Sequence, residues 1–383
     1  VTADLLPVKL STRDGMRDPG QRIYLRENVH AAALRRIRFL FDRYEDRVLV
    51  NVSGGKDSTV VLHLCLQVAA ERGVLPLRVM WTDQEAEWES TVELVREWMY
   101  RPDVRPIWLQ VPMKLYNAST STGDHWLHCW APEDRDRWMH PQDPIAITEN
   151  VFGTDRFAQL FGKVLAHEFP GQSAVQIAGV RCEESPARRN GLTAYETAFG
   201  ETWGRRNDGG QATFYPIYDW SYTDVWKAIL DNGWRYSTLY DLQYQYGVPV
   251  PAMRVSNLHH ETAVHSLFFV QEFEPGTYAR LAARLPGIDM AGKLGREDYW
   301  VRDLPFMFES WRDYRDYLLE HLINREDWRE GMRAKMARQE RYPALAALGD
   351  RLFRYHVRAI LVHDWEGILL GNLRTMVDKA LPK

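Results

Sequence analysis

Residues 48–64, VLVNVSGGKDSTVVLHL, run from an apolar strand through a glycine pair into an apolar helix. The run 47–52 (RVLVNV) is short, aliphatic and β-branched, the pattern of a buried strand, and residues 57–71 carry helical periodicity. Between them Ser53, Gly54 and Gly55 let backbone N–H groups converge with no Cβ in the way. A helix starting at Asp57 aims its positive end at the same point, Lys56 adds a full charge, and Ser58 and Thr59 offer hydroxyls. This is an anion cradle. It is not a Walker A loop, which needs a glycine where Val50 stands and Ser or Thr where Asp57 follows Gly55-Lys56.

Outward from the cradle, strands alternate with helices. Asn28 can cap a helix to about Tyr44, with Ala33, Leu34, Ile37, Leu40, Phe41 and Tyr44 on one face. Strands are expected at 77–82, 105–111, 173–180 and 212–220, and helices over 87–100 and 154–168. Ser221 and Asp224 form a capping-box-like start to a helix with Val225, Trp226, Ile229 and Leu230 as its apolar stripe. The pattern predicts an α/β fold, a doubly wound and mainly parallel sheet. Its domain spans 28–255, with an elaborated loop at 112–150, a preceding arm at 1–27 and a mostly helical extension over 256–383.

SGGKDS resembles the PP-loop of the adenine nucleotide α-hydrolase superfamily, whose loop holds the β- and γ-phosphates or the leaving pyrophosphate. The resemblance implies an adenine nucleotide held by Ser53, Gly54, Gly55, Lys56, Asp57, Ser58 and Thr59, with magnesium nearby. WTDQEAEWEST follows the second strand at its carboxyl end, where doubly wound sheets bind ligands. Trp81, Thr82 and Asp83 are the expected adenine contact, and Asp83, Glu85 and Glu87 are candidate magnesium or polar contacts. Glu87 and Glu89 also suit a solvated first helical turn, the reading preferred for those two. GVRCEESPARR (179–189) leaves the fourth strand, and Arg181, Arg188 and Arg189 could grip phosphate or sulfate oxygens. Arg181, Lys56 and Asp57 are the expected catalytic residues, with Asp57 and Asp83 as magnesium ligands.

These motifs, with FYPIYDWSYTDVWKAI after them, occur in the order of phosphoadenosine phosphosulfate (PAPS) reductase-like proteins. YDLQYQYGVPVPAMRV (240–255) and HVRAILVHDWEGILLGN are similar to the prophage-associated branch typified by the immunoglobulin-binding regulator A protein. That branch implies a ParB-like protein partner. The cysteines argue against a reductase. No cysteine follows Cys182, so the C-terminal thiol motif is missing, and three cysteines cannot supply the quartet of an iron–sulfur cluster. Cys65 shares an apolar helix face and reads as packing. Cys182 adjoins Arg181, whose charge would lower its pKa, and is the one candidate reactive thiol. Cys129 has His125 and His128 nearby, but packing in a Trp-rich loop fits better than zinc, and His259, His260 and His265 receive no role.

The reading is an enzyme that binds ATP and magnesium, cleaves between the α and β phosphates, and activates an unidentified acceptor as an adenylate. The rival readings are a sulfonucleotide reductase using Cys182, a nucleotide-dependent regulator, and a nucleic-acid modification enzyme. A net charge of −4 gives no global field for nucleic acid. The excess of arginine over lysine is explained by codon bias. Arg302, Arg312, Arg315, Arg325, Arg329, Arg333, Arg338 and Arg341 are interspersed with acids and read as a solvated helix surface. The opening residues lack a signal-peptide pattern, and no stretch approaches the roughly 18 apolar residues of a membrane span. A cytoplasmic location is expected.

Overall fold

The computed structural model describes residues 26–116, 126–193, 196–259, 267–285, 288, 303–323, 325–361, 364, 367 and 370–373. Its strands are β1 (Val48–Asn51), β2 (Leu77–Thr82), β3 (Val104–Leu109), β4 (Met113–Tyr116), β5 (Trp126–Cys129), β6 (Val175–Ala178), β7 (Thr197–Ala198), β8 (Glu201–Arg206) and β9 (Ala212–Phe214). Seven of them form one sheet in the order β3-β2-β1-β6-β9-β8-β7. The first five of that order run parallel; β8 and β7 are antiparallel. β1 is central, with Val50 opposite Val79 on one side and Ile177 on the other.

Alternation along β1 supplies both faces of the sheet. Val48 and Val50 enter a core with α1 (Val29–Tyr44), α2 (Lys56–Arg72), α3 (Glu89–Met99) and, later in the sequence, Val225 and Ile229. Leu49 enters the opposite core with α4 (Phe157–Glu168). Covering both faces is what a parallel sheet requires. The whole expected apolar face of α1 is buried, and Asn28 Oδ1 accepts the Ala31 N–H at 2.8 Å. Arg36 of the same helix is buried and donates to both Asp219 oxygens at 2.7 Å and to Pro216 O at 2.8 Å, fastening α1 beneath the sheet's carboxyl edge.

Later helices are α5 (Pro186–Thr193), α6 (Tyr222–Asn232), α7 (Leu239–Gln245), α8 (Leu267–Phe273) and α9 (Pro275–Arg284). The Ser221–Asp224 capping box of α6 is present in both directions. Leu267, Val270 and Leu281 share the core of Leu49 and Met80, so α8 and α9 belong to the second layer of the sheet. A separate apolar cluster (Leu318, Leu319, Met332, Met336, Val357 and Ile360) is built by α10 (Trp311–His321), α11 (Glu326–Glu340) and α13 (Asp350–Leu361), with α12 (Pro343–Ala346) between the last two. Among the described residues no helix is long and apolar enough to cross a membrane.

Two local expectations differ from the structure, and one strand is not anticipated. Within 112–150, β4 and β5 form an antiparallel pair, Met113 opposite Cys129, followed by a 3₁₀ turn at Pro132–Arg137. Four-residue strands are too short to show a period against the surrounding Trp, Pro and His. The strand expected over 212–220 stops at Phe214, since Pro216 carries no N–H for a ladder and the backbone turns there. The polar ETWGRR run forms β8 by pairing with β9 and β7, and of its side chains Trp203 is the buried one. A Cβ on its Gly204 would lie 2.1 Å from the Phe214 ring, which packs across the strand there.

Candidate functional site

The sheet grows outward from β1 to β3, then returns to the other side of β1 with β6. The loops after β1 and β6 therefore open at the switch point of the sheet, where ligands of doubly wound folds sit. Gly54 has φ +74°, and a Cβ there would stand 2.5 Å from Thr91 Cγ2 of α3. Both conformation and space demand glycine. Ser58 Oγ donates to Gly55 O (2.8 Å) and accepts the Ser53 N–H (3.2 Å), while Thr59 Oγ1 also donates to Gly55 O (3.1 Å). These bonds hold the loop closed at the start of α2, whose N-cap is Gly55 and so has no side-chain oxygen to offer the helix.

Lys56 and Asp57 are both buried, with Lys56 Nζ 3.0 Å from Asp57 Oδ2. Arg181 reaches the other oxygen of Asp57 through Nε, and its Nη1 lies 3.1 Å from Glu183 Oε2. Glu183 is placed by the Tyr222 N–H at 2.8 Å, at the start of α6. So three expected catalytic residues converge, drawn from two loops. Gly179 makes the convergence possible, since a Cβ on it would lie 2.8 Å from the backbone carbonyl carbon and oxygen of Asp57. Burial and the negative charge of Asp57 raise the pKa of nearby Glu184. Tyr240 of α7 completes the site: its hydroxyl accepts the Lys56 N–H at 3.0 Å.

Arg188 and Arg189 do not join this cluster. Arg188 is exposed and pairs at 3.5 Å with Glu184, and Arg189 is exposed on α5. The expectation for Cys182 is also corrected: burial is the largest influence and raises its pKa, with Arg189 the opposing cation. Arg181 is spent on Asp57 and Glu183. Cys65 is fully buried and its pKa is pushed far up. Cys129 is fully buried too, donating to Gln84 O at 3.1 Å; His125, His260 and His265 lie outside the described residues.

After β2 the backbone leads into a buried polar hub. Asp83 is fully buried, and its carboxylate accepts from Trp108 Nε1 (3.1 Å), Gln110 Nε2 (2.8 Å) and the Glu85 N–H (2.9 Å). His140 Nε2 lies 3.5 Å from it. Burial, the largest single influence, opposes charge on His140, but Asp83, the Pro141 carbonyl and Glu87 together raise its pKa. Glu85, with φ +64°, pairs with buried Arg284 at 2.6 Å and accepts the Trp130 N–H at 2.9 Å. Glu87 is not a solvated helical residue; it precedes α3 and is buried, held by Asn257 Nδ2 and the Gln84 N–H. Burial first, then the charge of Asp83, push its pKa up to about 8. Glu89 is exposed, as expected. The first turn of α3 is capped from outside: Glu274 accepts the N–H groups of Glu89 (2.8 Å) and Ser90 (3.1 Å). Trp81 packs against Trp108 at 5.1 Å as part of the core.

Three buried polar atoms among the described residues have no hydrogen-bond partner near the carboxyl ends of β1 and β2: Asn51 Oδ1, Thr82 Oγ1 and Thr91 Oγ1. Magnesium can be tested against the same geometry. It keeps several waters and takes one or two carboxylates plus substrate phosphates. Asp57 stands at the cradle with both oxygens paired, to Lys56 and Arg181, so it could take such an ion only once those cations turn to phosphate. Asp83 does not fit one, because its oxygens already serve three N–H donors in the interior. Among the described residues no group of three or more His, Cys, Asp or Glu could hold a metal. In the C-terminal helices Arg312, Arg315, Arg325, Arg329 and Arg333 each pair with a carboxylate; Arg302 lies outside the described residues.

The phosphoadenosine phosphosulfate reductase domain matches residues 47–246, which contain the cradle, Arg181 and Tyr240. The chain belongs to that family. It is similar to the uncharacterised protein YbdN of Escherichia coli K12, 27% identical over 314 residues that cover 78% of this chain and 75% of that protein. Among solved structures, the FMN adenylyltransferase of Candida glabrata is 13% identical with a TM-score of 0.34, covering 57% of this chain. The chain spans 62% of the length of that enzyme. The PAPS reductase of Candida auris, a phosphate complex, is 14% identical with a TM-score of 0.32, covering 61% of this chain and 91% of that one.

Proposed function

We propose that this chain binds ATP at the switch point and cleaves it between the α and β phosphates, joining AMP to an acceptor and releasing pyrophosphate. One observation carries the reading: Lys56 and Arg181, from loops after two adjacent strands, converge on Asp57 beside the glycine turn. Two fixed cations and a helix N-terminus suit the negative charge that grows on a leaving pyrophosphate. The acceptor oxygen bonds to the α-phosphorus, the bond to the bridging oxygen breaks, and its electron pair leaves on pyrophosphate. The acceptor's proton passes to solvent. Lys56 and Arg181 exchange Asp57 for phosphate oxygens, and the cradle orients the row of phosphates for in-line attack. A magnesium ion held by Asp57 and the phosphates would neutralise further charge on the leaving group. The unpartnered atoms of Asn51, Thr82 and Thr91 support a nucleoside beside the cradle. A thiol mechanism is not adopted, because Cys182 is the half-buried thiol at this edge and burial raises its pKa.

The test is to incubate the full-length protein with ATP and magnesium, alone and with hydroxylamine as a generic acceptor, and identify the products. AMP and pyrophosphate formed by the wild type and lost in Lys56→Ala are expected. Lysine-dependent ADP and phosphate would overturn the mechanism.

A further inference from the structure

We infer that the Tyr240 hydroxyl is a phosphate-binding donor of the cradle, standing in for the Lys56 N–H that it covers. The inference rests on the reading above and names a contact which the glycine-loop motif does not contain. Tyr240 lies in the first turn of α7, and its ring is 3% exposed. Trp226 of α6 packs edge-on against that ring at 5.1 Å, and Lys56 Nζ is 5.5 Å from its centroid. The ring is therefore fixed at the loop rather than resting on it.

Hydrogen-bond inventory then decides what the hydroxyl does. A phenol has one donor and can accept. It accepts the Lys56 N–H, so that N–H cannot serve a phosphate while the ring stays in place. Among the described residues nothing takes the phenol's own proton. A Cβ on Gly55 would lie 3.6 Å from the hydroxyl oxygen, so the phenol oxygen stands beside the glycine turn. A phenol keeps its proton at neutral pH, and burial and the charge of Asp57 raise its pKa further. When phosphate draws Lys56 and Arg181 from Asp57, Tyr240 keeps the Lys56 N–H and donates to a phosphate oxygen. The alternative is a plug, with the phenol displaced by phosphate.

Titration calorimetry with inorganic pyrophosphate separates the two. The proteins to compare are the wild type, Lys56→Ala, Tyr240→Phe and a variant with p-aminophenylalanine at 240. A donor predicts that Tyr240→Phe weakens binding by about 10-fold or more, and that the amino group, which restores an N–H, recovers much of the loss. Unchanged or tighter binding by Tyr240→Phe would overturn the inference and leave the ATP reading intact. Tighter binding by the phenylalanine than by the aminophenylalanine variant would identify the plug. Should Tyr240→Phe fail to fold, the aminophenylalanine variant decides alone: binding within a few-fold of wild type is expected, and loss of binding overturns the inference. If the wild type does not bind pyrophosphate, or Lys56→Ala binds it equally well, the reading beneath falls and this inference with it.

Discussion

Replacing Glu87 by glutamine removes a carboxyl group that the fold keeps protonated at neutral pH. Its ordinary pKa is 4.5 and in the folded protein it is about 8. For an acid shifted in this direction, the unfolded state ionises first. Wild-type stability is then undiminished below pH 4.5, falls as pH rises, and levels off above 8. Each unit in that window costs about 1.4 kcal/mol, so at pH 7 the penalty is about 3 kcal/mol, and at pH 5 it is under about 1 kcal/mol. Glutamine fits the same space and its carbonyl oxygen can accept from Asn257 and the Gln84 N–H as Glu87 does. Glu87→Gln is expected to match the wild type near pH 4.5 and to be more stable by about 3 kcal/mol at pH 7. Urea unfolding followed by the fluorescence of the 15 tryptophans, at half-unit steps from pH 4.5 to 8.5, measures this directly. His140, whose pKa is raised beside Asp83, belongs to the same hub, so the quantity to read is the difference between the two proteins. A difference that stays constant with pH, or is largest at the acid end, would refute the reasoning.

Other expectations follow from the same contacts. Arg284→Met leaves Glu85 charged and fully buried, which costs about 3–5 kcal/mol by denaturant unfolding; adding Glu85→Gln should return part of it. Gly179→Ala must push the Asp57 backbone away, so it should cost about 1–3 kcal/mol and weaken pyrophosphate binding in calorimetry without loss of the circular-dichroism spectrum. Cys182→Ser should leave ATP turnover within about twofold of wild type, since a half-buried thiol of raised pKa takes no part; abolished turnover would reinstate a thiol mechanism.

Much of the cradle was legible in the sequence because its signals are local. A strand, two glycines, a lysine and a helix start occupy consecutive residues, and caps such as Asn28 and Ser221–Asp224 act within three positions. Backbone sterics and helix periodicity act over that range, so the class of fold, and the expectation of an anion at this loop, followed from reading alone. Arg181 was legible for a different reason: it leaves the end of a buried strand, and such ends meet at one edge of a parallel sheet.

What closes the site comes from far along the sequence. Tyr240 meets Lys56 across 184 residues, Arg284 meets Glu85 across 199, and Glu274 caps α3 across 184 or more. No periodicity encodes such pairs, because they form only when two cores and the sheet between them are assembled. Burial also reassigned chemistry. Asp83 reads in sequence as a ligand contact and Glu87 as a solvated helical acid, but packing by α9 and the Trp130 segment takes both out of water. Desolvation is a property of the whole assembly, so residue identity could mark the glycine loop, while tertiary packing decided which carboxyl groups are buried beside it and with what partners.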